Sequence, residues 1–212
     1  MSSLYPPQLG GIGPALLEAR RTRRYILNWE QGGGKSVGTI ELFNLIKPKR
    51  VLVVHPAIVR LGWIEAFKKF SRTEVELGVH RFGSRKNLTK GQKAESERTF
   101  GCNVQIVSSE LVEFVPQTNW DMIVLDEIHF YKSEKAVRSK QVRALVDANP
   151  GAFILGLTGT LAPNDLGDIF NPIDMLWLGR MGNSYAFKYR YMNHRKKIIN
   201  EETGETRNDF YG

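Results

Sequence analysis

Cysteine is almost absent. Among 212 residues there is one, Cys102, so the chain cannot close an internal disulfide. Four histidines beside a single thiol leave too few ligands for a structural zinc site of the usual kind. No apolar run approaches the roughly 20 residues that span a bilayer. The N-terminal stretch MSSLYPPQLGG has no basic segment followed by an apolar block, so no signal peptide is expected. Internal repeats and low-complexity tracts are also missing. The expectation is an intracellular, cytoplasmic chain with no membrane partner.

What is present is ordinary in bulk. Hydrophobic residues make up 42% and charged residues 25%, as in a soluble globular chain. The length suits one α/β domain, or one and a half. A formal net charge of +8 biases the chain toward polyanions, but charge alone is weak evidence for nucleic acid.

Short β-branched runs alternate with longer amphipathic stretches. Strands are expected at Tyr25–Leu27, Val51–His55, Val104–Ser108, Met122–Leu125 and Phe153–Thr158, with a weaker one at Val75–Phe82. Helices are expected at Lys35–Ile46, Ile58–Phe70, Lys135–Ala148 and Asp165–Leu178. The charged stretch Lys86–Arg98 shows no clear apolar face and reads as an exposed helix or a loop. Near-continuous apolar strands alternating with helices predict an α/β fold: a mostly parallel sheet covered on both faces. Such sheets bind ligands at the carboxyl ends of their strands.

Three stretches fall at those ends. In YILNWEQGGGKSVGTIEL a strand runs into Gly32, Gly33, Gly34, Lys35 and Ser36 and then into a helix. Glycines let backbone N–H groups converge on phosphate oxygens, and the helix N-terminus adds partial positive charge. Lys35 would reach the β- and γ-phosphates of a nucleotide, and Ser36 would ligate magnesium. The full phosphate-loop pattern asks for glycine where this chain has Trp29. In MIVLDEIHFYKS, Asp126 and Glu127 end an apolar strand. Asp126 would be the metal-side carboxylate, Glu127 the general base, and His129 a sensor of the γ-phosphate. In FILGLTGTLAPND, Thr158, Gly159 and Thr160 end the next strand, where hydroxyls could couple the acidic pair to whatever lies opposite. Taken singly, each stretch has a plainer reading: a glycine-rich turn, a polar strand end, a tight turn.

Together the three resemble the first RecA-like lobe of superfamily-two helicases, most of all the Swi/Snf-type DNA-translocating ATPases of the compact phage and bacterial kind. EQGGGKS, Asp126-Glu127-Ile128-His129, LTGTLAPND and DIFNPIDMLWLG carry the resemblance, which runs from about Leu4 to Asp209. The family's phosphate loop often lacks the glycine that Trp29 replaces. The resemblance implies ATP and Mg2+ as ligands, with Gln8 reading adenine. It implies sequence-independent backbone contacts to double-stranded DNA, for which His55, Arg60, Ser108 and Ser109 are the candidates. Trp63 and Phe67 are expected to pack in the core. Residues 1–178 would form the ATP-binding lobe, and 179–212 a basic, aromatic extension ending in a turn or hairpin. The family completes its site with an arginine from a second RecA-like lobe, so one supplied in trans is a possible partner, and slow turnover is expected without it. The alternative is a catalytically weak ATP-binding lobe that docks on DNA or protein.

Overall fold

The computed structural model describes residues 6–83, 88–162, 164–200 and 205–211. Six strands form one all-parallel sheet: β1 (Arg24–Asn28), β2 (Val51–His55), β3 (Leu77–Val79), β4 (Val104–Ser108), β5 (Met122–Leu125) and β6 (Phe153–Thr158). Their spatial order is β1-β6-β5-β2-β4-β3. Helices α1 (Pro6–Arg21), α2 (Lys35–Ile46), α3 (Arg60–Phe70), α4 (Lys90–Gly101), α5 (Val137–Asp147), α6 (Phe170–Leu176) and α7 (Ser184–Tyr191) follow the chain around it. A separate antiparallel pair, β7 (Asn193–Asn200) and β8 (Glu205–Tyr211), lies beyond α7.

The period of the strands decides which side each residue faces. Val51, Val53, Met122, Val124, Phe153, Leu155 and Leu157 join one apolar cluster with residues of α1, α2 and α3. Leu52, Val54, Ile123, Leu125 and Ile154 join a second cluster with α5 and α6. β2, β5 and β6 are buried throughout, which is why their sequences are continuous apolar runs rather than alternating ones. On the first face Phe67 packs edge-on to Phe43, ring centroids 5.6 Å apart, and beside Trp63 at 6.2 Å.

The expected strands and helices are present, most within a residue or two of their predicted ends. Four features, two of them shifted boundaries and two left open by the sequence, have physical causes. The segment before Arg21 is a helix, despite Gly10, Gly11, Gly13 and Pro14. Pro6 and Pro7 sit in its first turn, where their missing N–H groups cost nothing. Ile12 and Ala15 are buried, so docking overrides weak intrinsic propensity. The helix expected from Ile58 begins at Arg60, after a 3-10 turn at Ala57–Val59 that Pro56 introduces. Asp165–Leu178 likewise divides into a 3-10 turn and the short α6. The charged stretch becomes α4, opened at Thr89 by a reciprocal cap with Gln92.

Within the strands, two glycines mark close approaches. A Cβ at Gly78 would lie 2.7 Å from the carbonyl oxygen of Thr99, while one at Gly156 would lie 2.8 Å from the terminal methyl of Ile128. A main-chain oxygen cannot swing away; a side-chain methyl can. Gly78→Ala should therefore cost more stability than Gly156→Ala, about 1–3 kcal/mol for the former. Urea unfolding of both variants checks the order, and equal or reversed losses would contradict it.

Candidate nucleotide site

Because all six strands are parallel, their carboxyl ends share one edge of the sheet. β6 lies between β1 and β5, so the loop after Thr158 stands between the glycine loop and the acidic pair. The glycine loop leaves β1 through Trp29, whose amide donates to the Thr158 carbonyl at 3.1 Å. Gly32 and Gly34 both lie in the left-handed region, at φ +78° and +80°. Gly34 caps α2 and brings no side-chain bond to its first turn. The N–H groups there are thus available to an anion. The Lys35 ammonium donates to the carbonyls of Trp29 at 3.1 Å and Glu30 at 3.4 Å, which folds it back over the loop. A Cβ at Gly159 would sit 3.4 Å from that ammonium, so the glycine lets the neighbouring loop close on it.

Asp126 directly follows β5 and is only 9% exposed. Burial pushes its carboxyl above the ordinary aspartate range, opposed by the Trp63 hydrogen bond; Glu127's charge pushes it up as well, and the Glu127 amide and Lys35 pull it down. The Trp63 indole N–H donates to Oδ2 at 2.9 Å, and the Glu127 amide donates to Oδ1 at 3.0 Å. Trp63 does pack in the core, as its helical spacing with Phe67 suggested. That spacing gave no sign of the carboxylate it holds.

Glu127 adopts φ +49°, ψ +54°, a conformation rare for a residue with a side chain. The turn is fixed from beyond by Ile128, fully buried against the space at Gly156. His129 then lies with Nδ1 3.2 Å from Glu127 Oε2 and 3.0 Å from Thr158 Oγ1. An ionised carboxylate only accepts, so Nδ1 carries the hydrogen and shares it between the two oxygens. The Thr158 hydroxyl donates in turn to the Thr160 carbonyl at 2.9 Å and accepts from the Thr160 amide at 3.1 Å. His129 therefore joins the acidic pair to the Thr158–Thr160 loop.

An open cleft of about 440 Å³ runs between these parts, lined by Gly32, Gly34, Lys35, Ser36, Trp63, Asp126 and Glu127 among others. The residues fit a nucleoside triphosphate with a divalent cation: uncapped amides and a lysine for phosphate, a hydroxyl and a carboxylate for the metal. A groove of about 510 Å³ beside α7, lined by aromatic and arginine side chains, has no such donor set.

The remaining expected contacts divide. Gln8 falls within α1, but its side chain lies outside the described residues. His55 needs correction as a nucleic-acid contact. It is fully buried at the end of a central strand, and its Nδ1 donates to the Pro56 carbonyl at 2.6 Å. Burial pushes its pKa down. Ser109 is 7% exposed and bonds Glu110 at 3.1 Å. Arg60 and Ser108 are half-exposed at the same sheet edge.

Residues 5–163 match the family model described as "Type III restriction enzyme, res subunit". The chain belongs to that family. Its Swi/Snf-type resemblance is matched by homologues. The bovine DNA annealing helicase and endonuclease ZRANB3 is 29% identical over 196 residues, which is 91% of this chain and 18% of that protein. The ISWI chromatin-remodeling complex ATPase ISW1 of Saccharomyces cerevisiae is 25% identical over 82% of this chain and 16% of its own length. The Sulfolobus solfataricus SWI2/SNF2 ATPase core in complex with dsDNA superposes with a TM-score of 0.73 at 21% identity, covering 90% of this chain and 39% of that one. That likeness establishes the RecA-like α/β fold. The chain spans under a fifth of the length of these two curated relatives.

The Trp63–Asp126 bond makes a pH-dependent prediction. A carboxyl raised on folding favours the native state when protonated, so its ionised form costs stability near neutral pH, and the cost is relieved as pH falls through the folded pKa. Trp63→Phe removes a donor that favours the ionised form. The variant should lose about 1.5–3 kcal/mol at neutral pH, and the gap to the parent should narrow in acid. Urea unfolding at both pH values measures this; a gap that does not depend on pH would assign the loss to packing alone.

Proposed function

We propose that this member of the restriction-enzyme res-subunit family is the ATP-binding half of a Swi/Snf-type, DNA-dependent ATPase, which hydrolyses ATP to move on or remodel double-stranded DNA. One observation carries the reading: an uncapped, glycine-opened helix N-terminus, a buried carboxylate and a Glu127–His129–Thr158 chain meet at one sheet edge. In this reading Lys35 leaves the Trp29 and Glu30 carbonyls to meet the β- and γ-phosphates, together with the amides after Gly34. Ser36 and Asp126 hold the metal side. Magnesium, when bound, neutralises charge developing on the phosphate oxygens. Glu127 takes the proton of the attacking water. His129 keeps the Glu127 carboxylate oriented through its shared N–H and passes its position on to Thr158 and Thr160.

The DNA reading is supported by the relatives, a DNA annealing helicase and an ATPase core in complex with dsDNA, and by the net charge of +8. Arg60 and Ser108 lie at the sheet edge that carries the ATP residues and are the better candidates for backbone contact. Lys35 is the cation among the described residues lining the cleft. An arginine from a second RecA-like lobe, in the same polypeptide or in trans, would supply the further charge and raise turnover by about 10³–10⁵.

The test is phosphate release from ATP at single turnover, with and without duplex DNA, beside direct measurement of MgATP binding. Lys35→Ala should lose MgATP binding. Glu127→Gln should bind MgATP as the parent does and lose release by about 10²–10⁴. Retained release in Glu127→Gln would remove the assigned base. Unchanged MgATP binding in Lys35→Ala would remove the nucleotide reading.

A further inference from the structure

The chain beyond α6 supplies none of the residues that line the nucleotide cleft, and its composition is uneven. Between Asp174 and Glu201 the sequence holds no carboxylate, while Arg180, Lys188, Arg190, Arg195, Lys196 and Lys197 all fall there. Aromatic residues are interleaved with the first of these, in YAFKYRY. α7 sorts those aromatics by chemistry. Phe187 is buried, with its ring centroid 5.4 Å from that of Phe170, and so pins α7 to α6. Tyr185, Tyr189 and Tyr191 are each about half exposed. Tyr185 and Tyr189 stand one helical turn apart, ring centroids 6.3 Å apart and planes inclined by 23°. Phe210 of β8 meets Tyr185 edge-on at 5.6 Å.

The three tyrosines line the groove of about 510 Å³ beside α7, together with Arg180 and Arg190. Among the described residues no carboxylate lines it. Guanidinium groups without a carboxylate beside them suit phosphate. They would serve a duplex and a single strand alike, so the rings decide. In a duplex the base faces are already stacked on one another. Unpaired bases have free faces, and these stack on aromatic side chains whatever the sequence. An apolar protein surface could meet the same rings, but it would leave two guanidiniums without a counter-charge.

We infer that the α7 groove binds unpaired nucleotides of a DNA strand, with Tyr185, Tyr189 and Tyr191 taking bases and Arg180 and Arg190 taking phosphates. The choice of DNA rests on the duplex-DNA reading above; the groove itself needs neither that reading nor ATP. The site is separate from the duplex contacts assigned to Arg60 and Ser108 at the sheet edge. It gives the chain a place for a strand that has left the duplex.

Fluorescence anisotropy with a labelled thymidine oligomer reads the groove directly. Three further probes set the comparison: the same oligomer without its bases, the same sequence as a duplex, and a uridine oligomer of RNA. The thymidine oligomer should bind more tightly than the abasic one. Tyr189→Ala should weaken it about five- to hundredfold, the scale of one lost base stack. Abasic-oligomer, duplex and MgATP binding should stay within about twofold in that variant, since none of them uses the ring as a stacking face. Tyr189→Phe should bind as the parent does, and Tyr189→Leu, apolar but without a π-face, should not. Arg190→Gln should reduce the slope of log affinity on log salt by about 0.7, one phosphate contact on a single strand. It carries the test if Tyr189→Ala loses MgATP binding through poor folding. Equal binding of the abasic and thymidine oligomers, an unchanged Tyr189→Ala, or a parallel loss of duplex binding would overturn the inference. So would tighter binding of the uridine oligomer, or self-association of the chain that Tyr189→Ala abolishes. Absence of duplex binding in the parent, with the oligomer still bound, would instead remove the duplex reading and leave the groove standing.

Discussion

A carboxylate can be buried at the end of a central strand only if donors come to it. Asp126 sits between β2 and β6 with helices on both faces, and its two oxygens are met from different parts of the chain. One donor is local, the amide of the next residue. The other is the indole of Trp63, carried in from α3 and seated by the aromatic contacts among Trp63, Phe67 and Phe43. A deeply desolvated charge left with one donor is costly. The packing of α3 on the first face of the sheet and the charge state of the acidic pair are therefore one problem. A purely apolar core position generally tolerates exchange of similar volumes; Trp63 also supplies a donor to Asp126, which an apolar residue of the same volume would not.

Strand order then arranges the rest. Since β6 separates β1 from β5, the Thr158–Thr160 turn is placed within reach of both Lys35 and Glu127 without any long loop. Gly159 admits the lysine on one side, and the Thr158 hydroxyl meets His129 on the other. The left-handed backbone at Glu127 is what brings His129 round. It costs roughly 1–2 kcal/mol, and Ile128, buried at Gly156, holds the turn in place. Gly156 is a strand glycine on the second face, a position usually filled by a branched side chain. Here its lack of a side chain makes the room on which the conformation of Glu127 rests.

The sheet and the three motifs were legible because their signals are local. An apolar run four to six residues long ends in a polar pair, and burial on both faces makes that run continuous. What could not be read depended on partners distant in sequence. A tryptophan four residues before a phenylalanine on a helix looks the same whether its N–H meets solvent or a carboxylate 63 residues on. His55 looked like a strand-end contact residue because nothing in VLVVHP says which strand will be central. The pairing of β2 between β5 and β4 buries it, and the Pro56 carbonyl takes its hydrogen. The glycines and prolines before Arg21 disfavour a helix by propensity, which is a weak term beside docking.

Trp29 shows most clearly why a motif is a statement about space. Glycine is needed in a phosphate loop where the backbone is left-handed or where a side chain would fill the ligand's place. Gly32 and Gly34 meet the first condition, with φ +78° and +80°. Position 29 meets neither. Its backbone prolongs the ladder of β1 onto β6, and its side chain turns away between two helices that present glycines of their own. The missing glycine has in effect been moved, from the loop to Gly11 and Gly38. The pattern is broken in sequence while the space it protects is kept, and the exchange gives the loop a bulky anchor to α1 that a glycine could not provide.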